Sequence, residues 1–549
     1  MKSKLLFPYK LKKNAHQVAN SREIEVTLEK LVQQPSAIAI ATVKRKWNSN
    51  LATVLEELGN KYLRSNKFLD AANSYKEVLE LKSFSLNLLT NLTISLYRIG
   101  EYQEAVIFAK KAYDLHPKDL IVIKIYIDCL LLNGNANEID TICKDLCLRF
   151  PDDLDLKYFH AQALRLLGLW DASLKILDAL VLNKNHPLFS FSRADVIGET
   201  DSIKAIEIYE NLERKKIKFT SLNFYNLSLH YLRKRDFEKG WPLFEYGLDK
   251  DIGHYGRRLP YNFLNTFRAD KESVDTEKWV MICSEQGIGD QLTFLSVLPE
   301  TINEFKKVFF VCEYRMLPIL QRSFPSLNLS TNGKFGDLDP SNESYKAKLG
   351  YIPLGSLLAR YRPNLDSFKG QQKNFISVDK NMYYQYREFL LKLASGRQII
   401  GISWKSNVAQ NLQSMKNLDF LDWLPLFDNN SLIVNLQYGD TSAEQQFVNN
   451  LGLEMISFNN LNFTQNLDEW LAITAACDSI TSISTSLVHF AGACGQKVAV
   501  VMPLKQGHWT LGLTDTESIF YPNVRIFRKQ KDETDSSLII RAAASNNAK

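Results

Sequence analysis

The sequence predicts an α-helical repeat array at the front of the chain and two alternating α/β units behind it. Three observations carry this prediction. The apolar pattern of the first half repeats with a step of 34 residues, as between Pro117 and Pro151. Near residue 250 the pattern changes to short apolar runs of strand length separated by helical stretches. At 549 residues the chain is too long for one hydrophobic core, so two to four domains are expected. We divide it into an N-terminal extension (1–50), helical repeats (51–250) and two α/β lobes (251–395 and 396–549).

Stepping by the repeat interval aligns Tyr62, Leu96, Leu130 and Leu164. It also aligns Ala71, Ala105, Ile139 and Ser173, and then Tyr75, Ala109, Cys143 and Leu177. Gly100, Gly134 and Gly168 fall at one turn position, where free φ suits the link between two helices. Small residues let paired helices approach, and large ones fill the gap to the next pair. This pattern resembles the tetratricopeptide repeat (TPR). The step slips near His186-Pro187, so Leu51 to about Asp249 reads as an array of five or six helix pairs with an irregularity there. Such arrays make concave surfaces that hold polypeptides, with Asn87, Asn91, Tyr97 and Tyr126 as candidate lining residues. The alternative is a scaffold or dimerisation arm, so a homo-oligomer stays open.

Past a linker from Asp251 to Thr276, Trp279 to Ser284 reads as a buried strand, followed by the loop Glu285-Gln286-Gly287-Ile288-Gly289-Asp290 and a helix from Gln291 to Phe305. Val308 to Cys312 is a second strand, Met316 to Phe324 a helix, and Tyr351 to Leu354 leads to a further short helix. A second unit of the same style begins near Arg397. Its strands are Ile399 to Trp404, Leu432 to Leu436, Ser479 to Ile483 and Val498 to Met502. Its helices are Asp419 to Phe427, Leu467 to Ala476 and Leu487 to Cys494. Strands alternating with helices imply parallel sheets, which bind ligands outside the carboxyl ends of their strands.

Composition narrows the function classes. An apolar fraction of 45% and a charged fraction of 23% are ordinary for a globular chain and exclude wholesale disorder. A net charge of +6 over this length lacks the clustered positive charge that nucleic acid demands. Seven scattered cysteines include no CxxC pair, which argues against zinc and fits a reducing compartment. Cys143 and Cys147 share a helix face, the spacing of two core positions. The basic stretch Met1 to Lys13 lacks the apolar core of a signal peptide, and no apolar run approaches the roughly 20 residues that span a bilayer. The expected location is the cytoplasm.

The segment Glu285 to Gln291 resembles the EQGLGD-type loop of bacterial TPR-linked glycosyltransferases, which are similar to the lipopolysaccharide heptosyltransferases and, more distantly, to the protein O-GlcNAc transferases. Later segments agree in order: Gly401 to Trp404, Leu436 to Asp440, Thr485 to Ala493, and Tyr521 to Arg528. The resemblance covers about Phe237 to Arg528. It implies the GT-B fold, two Rossmann-like lobes with a cleft between them, and transfer of a sugar from a nucleotide-diphosphate donor. That donor is a co-substrate, and no other cofactor is implied.

Such a transfer gathers negative charge on the departing phosphate and releases a proton from the acceptor, so the site needs an anion stabiliser and a base. Ser484, Thr485 and Ser486 stand between a strand and a helix start, where free N–H groups and the helix dipole suit phosphate; plain N-capping is the alternative. Lys405 follows the strand Ile399 to Trp404. By resemblance Lys416 matches the lysine that neutralises the diphosphate. Gln437, at a strand's carboxyl end, is a candidate for base or ribose. His489, in the first helical turn, is a candidate phosphate or sugar contact or a packed histidine. His508 and Trp509 are candidates to cover the cleft.

Asp290 is the candidate general base, on a Gly-Ile-Gly turn that admits a ligand closely. The alternative is that it caps the next helix. Gln286, Gly287 and Gly289 complete the acceptor-side loop. No DxD pair stands at a strand end, so no metal ion is expected, lysines and helix dipole serving instead. In one respect the chain departs from its resemblance: related enzymes often carry Val-Asp-Thr-Ser before the His, whereas this chain has Ile483-Ser484-Thr485-Ser486. The expected function is transfer of a sugar to a polypeptide Ser or Thr held by the repeats, with flagellin-like or surface proteins as clients by resemblance. The alternatives are transfer to a glycan or lipid-linked acceptor, and a degenerate transferase acting as a TPR adaptor.

Overall fold

The computed structural model describes residues 21–47, 50–81, 85–184, 186–249, 256–257, 280–331, 350–406, 417–503 and 507–546. The chain forms two compact units, Met1–Ser190 and Phe191–Lys549. Among the described residues no helix is long and apolar enough to cross a membrane.

The first unit is a series of helix pairs. α1 (Ser21–Leu31) and α2 (Ser36–Lys46) lie within the N-terminal extension. They are followed by α3 (Leu51–Arg64), α4 (Phe68–Leu81), α5 (Leu86–Ile99), α6 (Tyr102–Leu115), α7 (Leu120–Asn133), α8 (Ala136–Arg149), α9 (Leu154–Leu166) and α10 (Trp170–Asn183). The second helices of successive pairs start at residues 68, 102, 136 and 170, a constant step. Every member of the three aligned rows is buried, from Tyr62 and Leu130 at 0% exposure to Leu164 at 5%. Gly100, Gly134 and Gly168 adopt φ of 91°, 81° and 75°, the left-handed turn that their alignment predicts. Asp119 and Asp153 cap α7 and α9 by accepting backbone N–H bonds.

The extension joins this packing. The Tyr62 hydroxyl hydrogen-bonds the carbonyls of Leu31 and Gln34, at 3.2 and 2.9 Å. The Lys67 ammonium donates to the Val32 carbonyl at 2.7 Å. Of the candidate groove residues, Tyr126 is excluded: it is fully buried, stacks on Tyr113 and donates to Glu138. Asn91 donates to Asn60 at 3.0 Å, and Tyr75 binds the same Asn60 oxygen at 2.8 Å.

The boundary between the units falls inside α11 (Pro187–Gly198). The second unit continues with α12 (Ser202–Arg214), α13 (Ser221–Arg233) and α14 (Phe237–Phe244). The repeat slips as expected: α12 starts 32 residues after α10, at 202 against 170. Pro242 lies inside α14, which tightens at once into a 3₁₀ turn, Glu245–Leu248.

Two parallel sheets follow. The first contains β1 (Val280–Cys283), β2 (Val308–Val311), β3 (Asn328–Ser330) and β4 (Gly350–Pro353), in the order β3-β2-β1-β4. The second contains β5 (Gln398–Ser403), β6 (Ser431–Asn435), β7 (Met455–Ile456), β8 (Ser479–Ile483), β9 (Val498–Met502) and β10 (Val524–Arg528), in the order β10-β9-β8-β5-β6-β7. β1, β2, β8 and β9 are buried along their whole length, as strands covered on both faces must be.

Two helices differ from expectation, both because of proline. The helix expected over 291–305 is two, α15 (Ile288–Leu295) and α16 (Leu298–Glu304), with Pro299 opening the second. The helix expected near Asp419 is a 3₁₀ segment, Phe420–Leu426, containing Pro425. The remaining helices are α17 (Leu317–Ser323), α18 (Leu357–Tyr361), α19 (Lys380–Ala394), α20 (Ser442–Asn450), α21 (Leu467–Ala476), α22 (Ser486–Cys494) and α23 (Asp535–Ser545).

One apolar core runs through the second unit, joining α13 and α14 to both sheets. Its aromatic centre sets Trp241 at right angles to Trp509, centroids 5.8 Å apart, with Phe244 against Phe294 and Phe368 against Phe520. The Trp241 indole N–H donates to the Arg362 carbonyl at 2.7 Å, so the buried ring keeps its hydrogen bond. Arg322 of α17 pairs with Asp468 of α21, tying the two lobes at a second place.

Candidate active site at the switch points of the sheets

Strand order fixes where ligands go. In the second sheet the chain runs outward from β5 through β6 to β7, then returns to β8 and runs the other way through β9 to β10. The switch point therefore lies between β5 and β8, and in sheets of this kind ligands bind outside the carboxyl ends of the strands at such a point. In the first sheet the switch lies between β1 and β4. The motifs cluster at these points: Glu285 to Gly287 after β1, Lys405 after β5, Gln437 after β6 and Ser484 to Ser486 after β8.

The loop after β1 is anchored by a buried ion network. Glu285 and Arg257 side chains have 0% exposure and Glu245 has 5%. Arg257 donates from Nε and NH2 to Glu285, from NH1 to Glu245 at 2.8 Å and from NH2 to Ser356 at 2.9 Å. Glu285 Oε1 also accepts the Gly355 N–H at 2.8 Å, and a Cβ on Gly355 would meet that oxygen at the same distance. Burial alone would lower the Arg257 pKa, but Glu285 and then Glu245 outweigh it and hold the guanidinium charged. Arg257 lies within the stretch read from sequence as a linker. The signal that could have found it is the buried acid Glu285, which requires a cation.

Gln286 takes φ of +65° and turns the chain into α15. Its side chain lies 3.4 Å from the Tyr225 hydroxyl. Gly287 is the N-cap residue of α15, without a side-chain cap bond, so Asp290 sits at the third helical position, in the first turn, and is not the capping residue. Its carboxylate is 29% exposed, and His508 Nε2 lies 3.5 Å from Oδ1.

Gly289 marks a close approach between the lobes. A Cβ there would lie 3.0 Å from Cδ2 of His489 on α22. The same imidazole is held through Nδ1 by the Thr293 hydroxyl at 3.1 Å and the Tyr521 hydroxyl at 3.2 Å. Burial pushes the His489 pKa down to about 4, so the ring is neutral near pH 7. The partly buried His489 ring therefore packs between the lobes. Thr293 and Tyr521 were not singled out from sequence, although Thr293 shares a helix face with Gly289 four residues earlier.

On the second sheet the Gln437 carboxamide is buried and occupied. Its oxygen accepts from the Ser403 hydroxyl and from the N–H groups of Trp404 and Lys405, at 2.9, 3.0 and 2.9 Å. Its Nε2 donates to the Tyr438 carbonyl at 2.9 Å. The residue clamps the loops after β5 and β6 together. The Lys405 ammonium is bound by the Asp440 carbonyl and the Glu444 carboxylate, at 2.9 and 2.8 Å. Lys416 lies outside the described residues.

Thr485 is the N-cap residue of α22, yet no side chain caps that helix. Instead Thr485 Oγ1 meets the buried Ser482 hydroxyl at 3.3 Å. Ser484 and Ser486 are partly exposed beside it. A nine-residue helix starting directly beyond a central strand, its N-cap residue making no side-chain cap bond, can accept an anion. Among the described residues no cluster of three or more His, Cys, Asp or Glu could hold a metal ion.

No family model matches the sequence. The chain is 27% identical over 261 residues to Protein FlbA of Caulobacter vibrioides, a match covering 46% of this chain and 43% of FlbA. It thus spans less than half the length of that curated relative. Similar solved structures include a tetratricopeptide repeat protein from Parabacteroides merdae (17% identity, 42% of this chain and 96% of that one, TM-score 0.36). They also include a glycosyl transferase family 9 protein from Veillonella parvula (13% identity, 51% and 99%, TM-score 0.35). An O-GlcNAc transferase variant from Thermobaculum terrenum is similar along 97% of this chain and 91% of its own, at 10% identity and TM-score 0.31.

Proposed function

We propose that this chain is a glycosyltransferase. It moves a sugar from a nucleotide-diphosphate donor to an acceptor presented by the helical repeats, a polypeptide Ser or Thr. The observation that carries the reading is the pairing of two switch points: α15, bearing Asp290, packs through Gly289 on α22, whose N-terminus lacks a side-chain cap. In this reading the base and the anion seat face one crevice.

In this reading the acceptor oxygen attacks the anomeric carbon. The bond from that carbon to the diphosphate oxygen breaks, and Asp290 takes the acceptor's proton. Negative charge growing on the diphosphate is met by the α22 N–H groups, by the hydroxyls of Ser484, Thr485 and Ser486, and by Lys416. Lys405 and Gln437 act by shaping the loops after β5 and β6. His489 holds α15 on α22 rather than touching phosphate. No metal ion is needed, and the cytoplasm is where nucleotide sugars would reach the site.

The test is nucleotide release from a panel of nucleotide sugars, repeated with Asp290→Ala and Lys416→Ala. Turnover lost in both, with thermal unfolding unchanged, supports the assignment; turnover kept in both defeats it. A second reading, a non-catalytic TPR adaptor, is favoured by the occupied side chains of Lys405 and Gln437 and by Ser484 at the position where related enzymes carry an acid. Calorimetric uptake of a nucleoside diphosphate without release from any donor would select it.

A further inference from the structure

We infer that His508 is a positioning residue for Asp290, and that the last helix pair holds His508 in place through Arg235. The inference rests on the transferase reading for its consequence, though not for its geometry.

Three observations join these residues. Arg235, just past α13, adopts φ of +69°, a left-handed conformation that is strained for a non-glycine residue. Its buried guanidinium offsets that strain by gripping the segment after β9. Nε donates to Asp515 at 2.9 Å, NH1 to the Trp509 carbonyl at 3.1 Å and NH2 to the Thr510 carbonyl at 2.9 Å. A second guanidinium, Arg528 of β10, donates to the Leu511 and Gly512 carbonyls at 2.7 and 3.2 Å. Trp509 is wedged against Trp241 and Phe244 of α14.

The held segment begins with His508. Its Nδ1 meets the Thr510 hydroxyl at 3.0 Å, and its Nε2 faces Asp290 at 3.5 Å. A tautomer in which Thr510 donates to Nδ1 leaves the proton on Nε2, the nitrogen that faces the carboxylate. This is the arrangement of a base and the group that orients it. It fixes the rotation of Asp290 and stabilises its charged form. Because Arg235 belongs to the α13–α14 junction, the last helix pair is coupled to His508 through these hydrogen bonds.

Other titratable groups among the described residues lie around the pair. Tyr225 and Tyr521 both feel the Asp290 charge, neutral His489 packs on Gly289, and the Glu285–Arg257 pair lies in the preceding loop. Arg235–Asp515 and Arg528 flank His508.

Two measurements on the full chain test the inference. In the first, ¹³C-labelled histidine is titrated by NMR, the His508 signal being assigned by its loss in His508→Gln. The imidazole should titrate at least about half a unit higher in the wild type than in Asp290→Asn, because the carboxylate favours the imidazolium. An unchanged titration overturns the pairing, whatever the activity. In the second, nucleotide release is followed. His508→Leu should lower kcat about tenfold or more with donor KM unchanged, and move the acidic limb of the pH profile upward. His508→Gln, which keeps an N–H donor, should recover part of the loss. Arg235→Met should lower kcat similarly and add little to His508→Leu. Wild-type turnover with an undiminished His508→Leu defeats the inference and leaves the transferase reading standing. No wild-type turnover from any donor defeats that reading, while the NMR titration still decides the pair.

Discussion

Arg257 and Glu285 form a two-point ion pair inside the protein, Nε to Oε2 at 2.8 Å and NH2 to Oε1 at 2.5 Å, with neither side chain reaching solvent. The glutamate that opens the loop motif is therefore an anchor for β1 and its turn, not a free acid. Removing the cation leaves two carboxylates buried without it. Arg257→Met should destabilise the second unit by about 3–5 kcal/mol in urea unfolding. Glu285→Gln should cost less, because an amide oxygen still accepts from Gly355 and from Arg257. Equal costs for the two changes would show that Arg257 serves packing on Phe244, over whose ring it lies at 4.4 Å, rather than charge.

Gln437 makes a different prediction from the one its position at a strand end invites. A residue contacting base or ribose could be shortened without harm to folding. One whose oxygen satisfies three donors cannot. Gln437→Ala strands the buried N–H of Trp404 and that of Lys405, at roughly 1–3 kcal/mol each. Thermal unfolding should fall by several degrees without any ligand present. Gln437→Glu keeps the acceptor and should be milder. A stable Gln437→Ala with weakened nucleotide uptake would return the residue to direct binding.

His489 links stability to acid. Its pKa falls from 6.5 to about 4 on folding, because the packed ring is taken out of water. The unfolded chain therefore binds one more proton between those values. Stability from this residue is fully present above pH 6.5 and declines as the pH drops toward 4, by at most about 3 kcal/mol. Melting temperatures of the wild type and His489→Asn at pH 7.5 and 4.5 give the check. The drop should be smaller in the variant, and an equal drop would mean the ring protonates as readily folded as unfolded.

Periodic features were legible in the sequence, and tertiary closure was not. The rows through Tyr62, Ala71 and Tyr75 could be read because helix pairing repeats with the chain, so each buried position announces the next. Strands such as Val308–Val311 and Val498–Met502 could be read because a strand buried on both faces is here an unbroken apolar run. β3 and the two-residue β7, short edge strands, leave no such run. Asp290 stands out in the sequence by its glycine turn, but its neighbour His508 comes from 218 positions further on, at 508 against 290. Arg257 was missed for the same reason: its partners Glu245, Glu285 and Ser356 come from three separate segments. Gln437 was placed correctly at a strand end, yet nothing local indicates that its amide faces inward.

The approach of Gly289 to His489 separates stability from function in a single substitution. At the second position of α15, in its first turn, alanine is favoured over glycine by at most about 1 kcal/mol of helix propensity. Against this, the new Cβ stands 3.0 Å from Cδ2 of an imidazole that cannot easily retreat, since Thr293 and Tyr521 both hold its Nδ1. Ordinary carbon contacts lie near 3.5–4.0 Å, so the lobes must part by a few tenths of an ångström. The two terms oppose each other in folding, and Gly289→Ala should unfold within about 1 kcal/mol of the wild type. They do not oppose each other in the crevice, where the same displacement carries Asp290 away from the α22 end and from His508. Nucleotide release should therefore fall by about tenfold or more while the melting temperature barely moves. Gly289→Leu, for which there is no room, should lose both. Full turnover in Gly289→Ala would mean that the two switch points tolerate separation, and the shared crevice on which the transferase reading stands would lose its geometric basis.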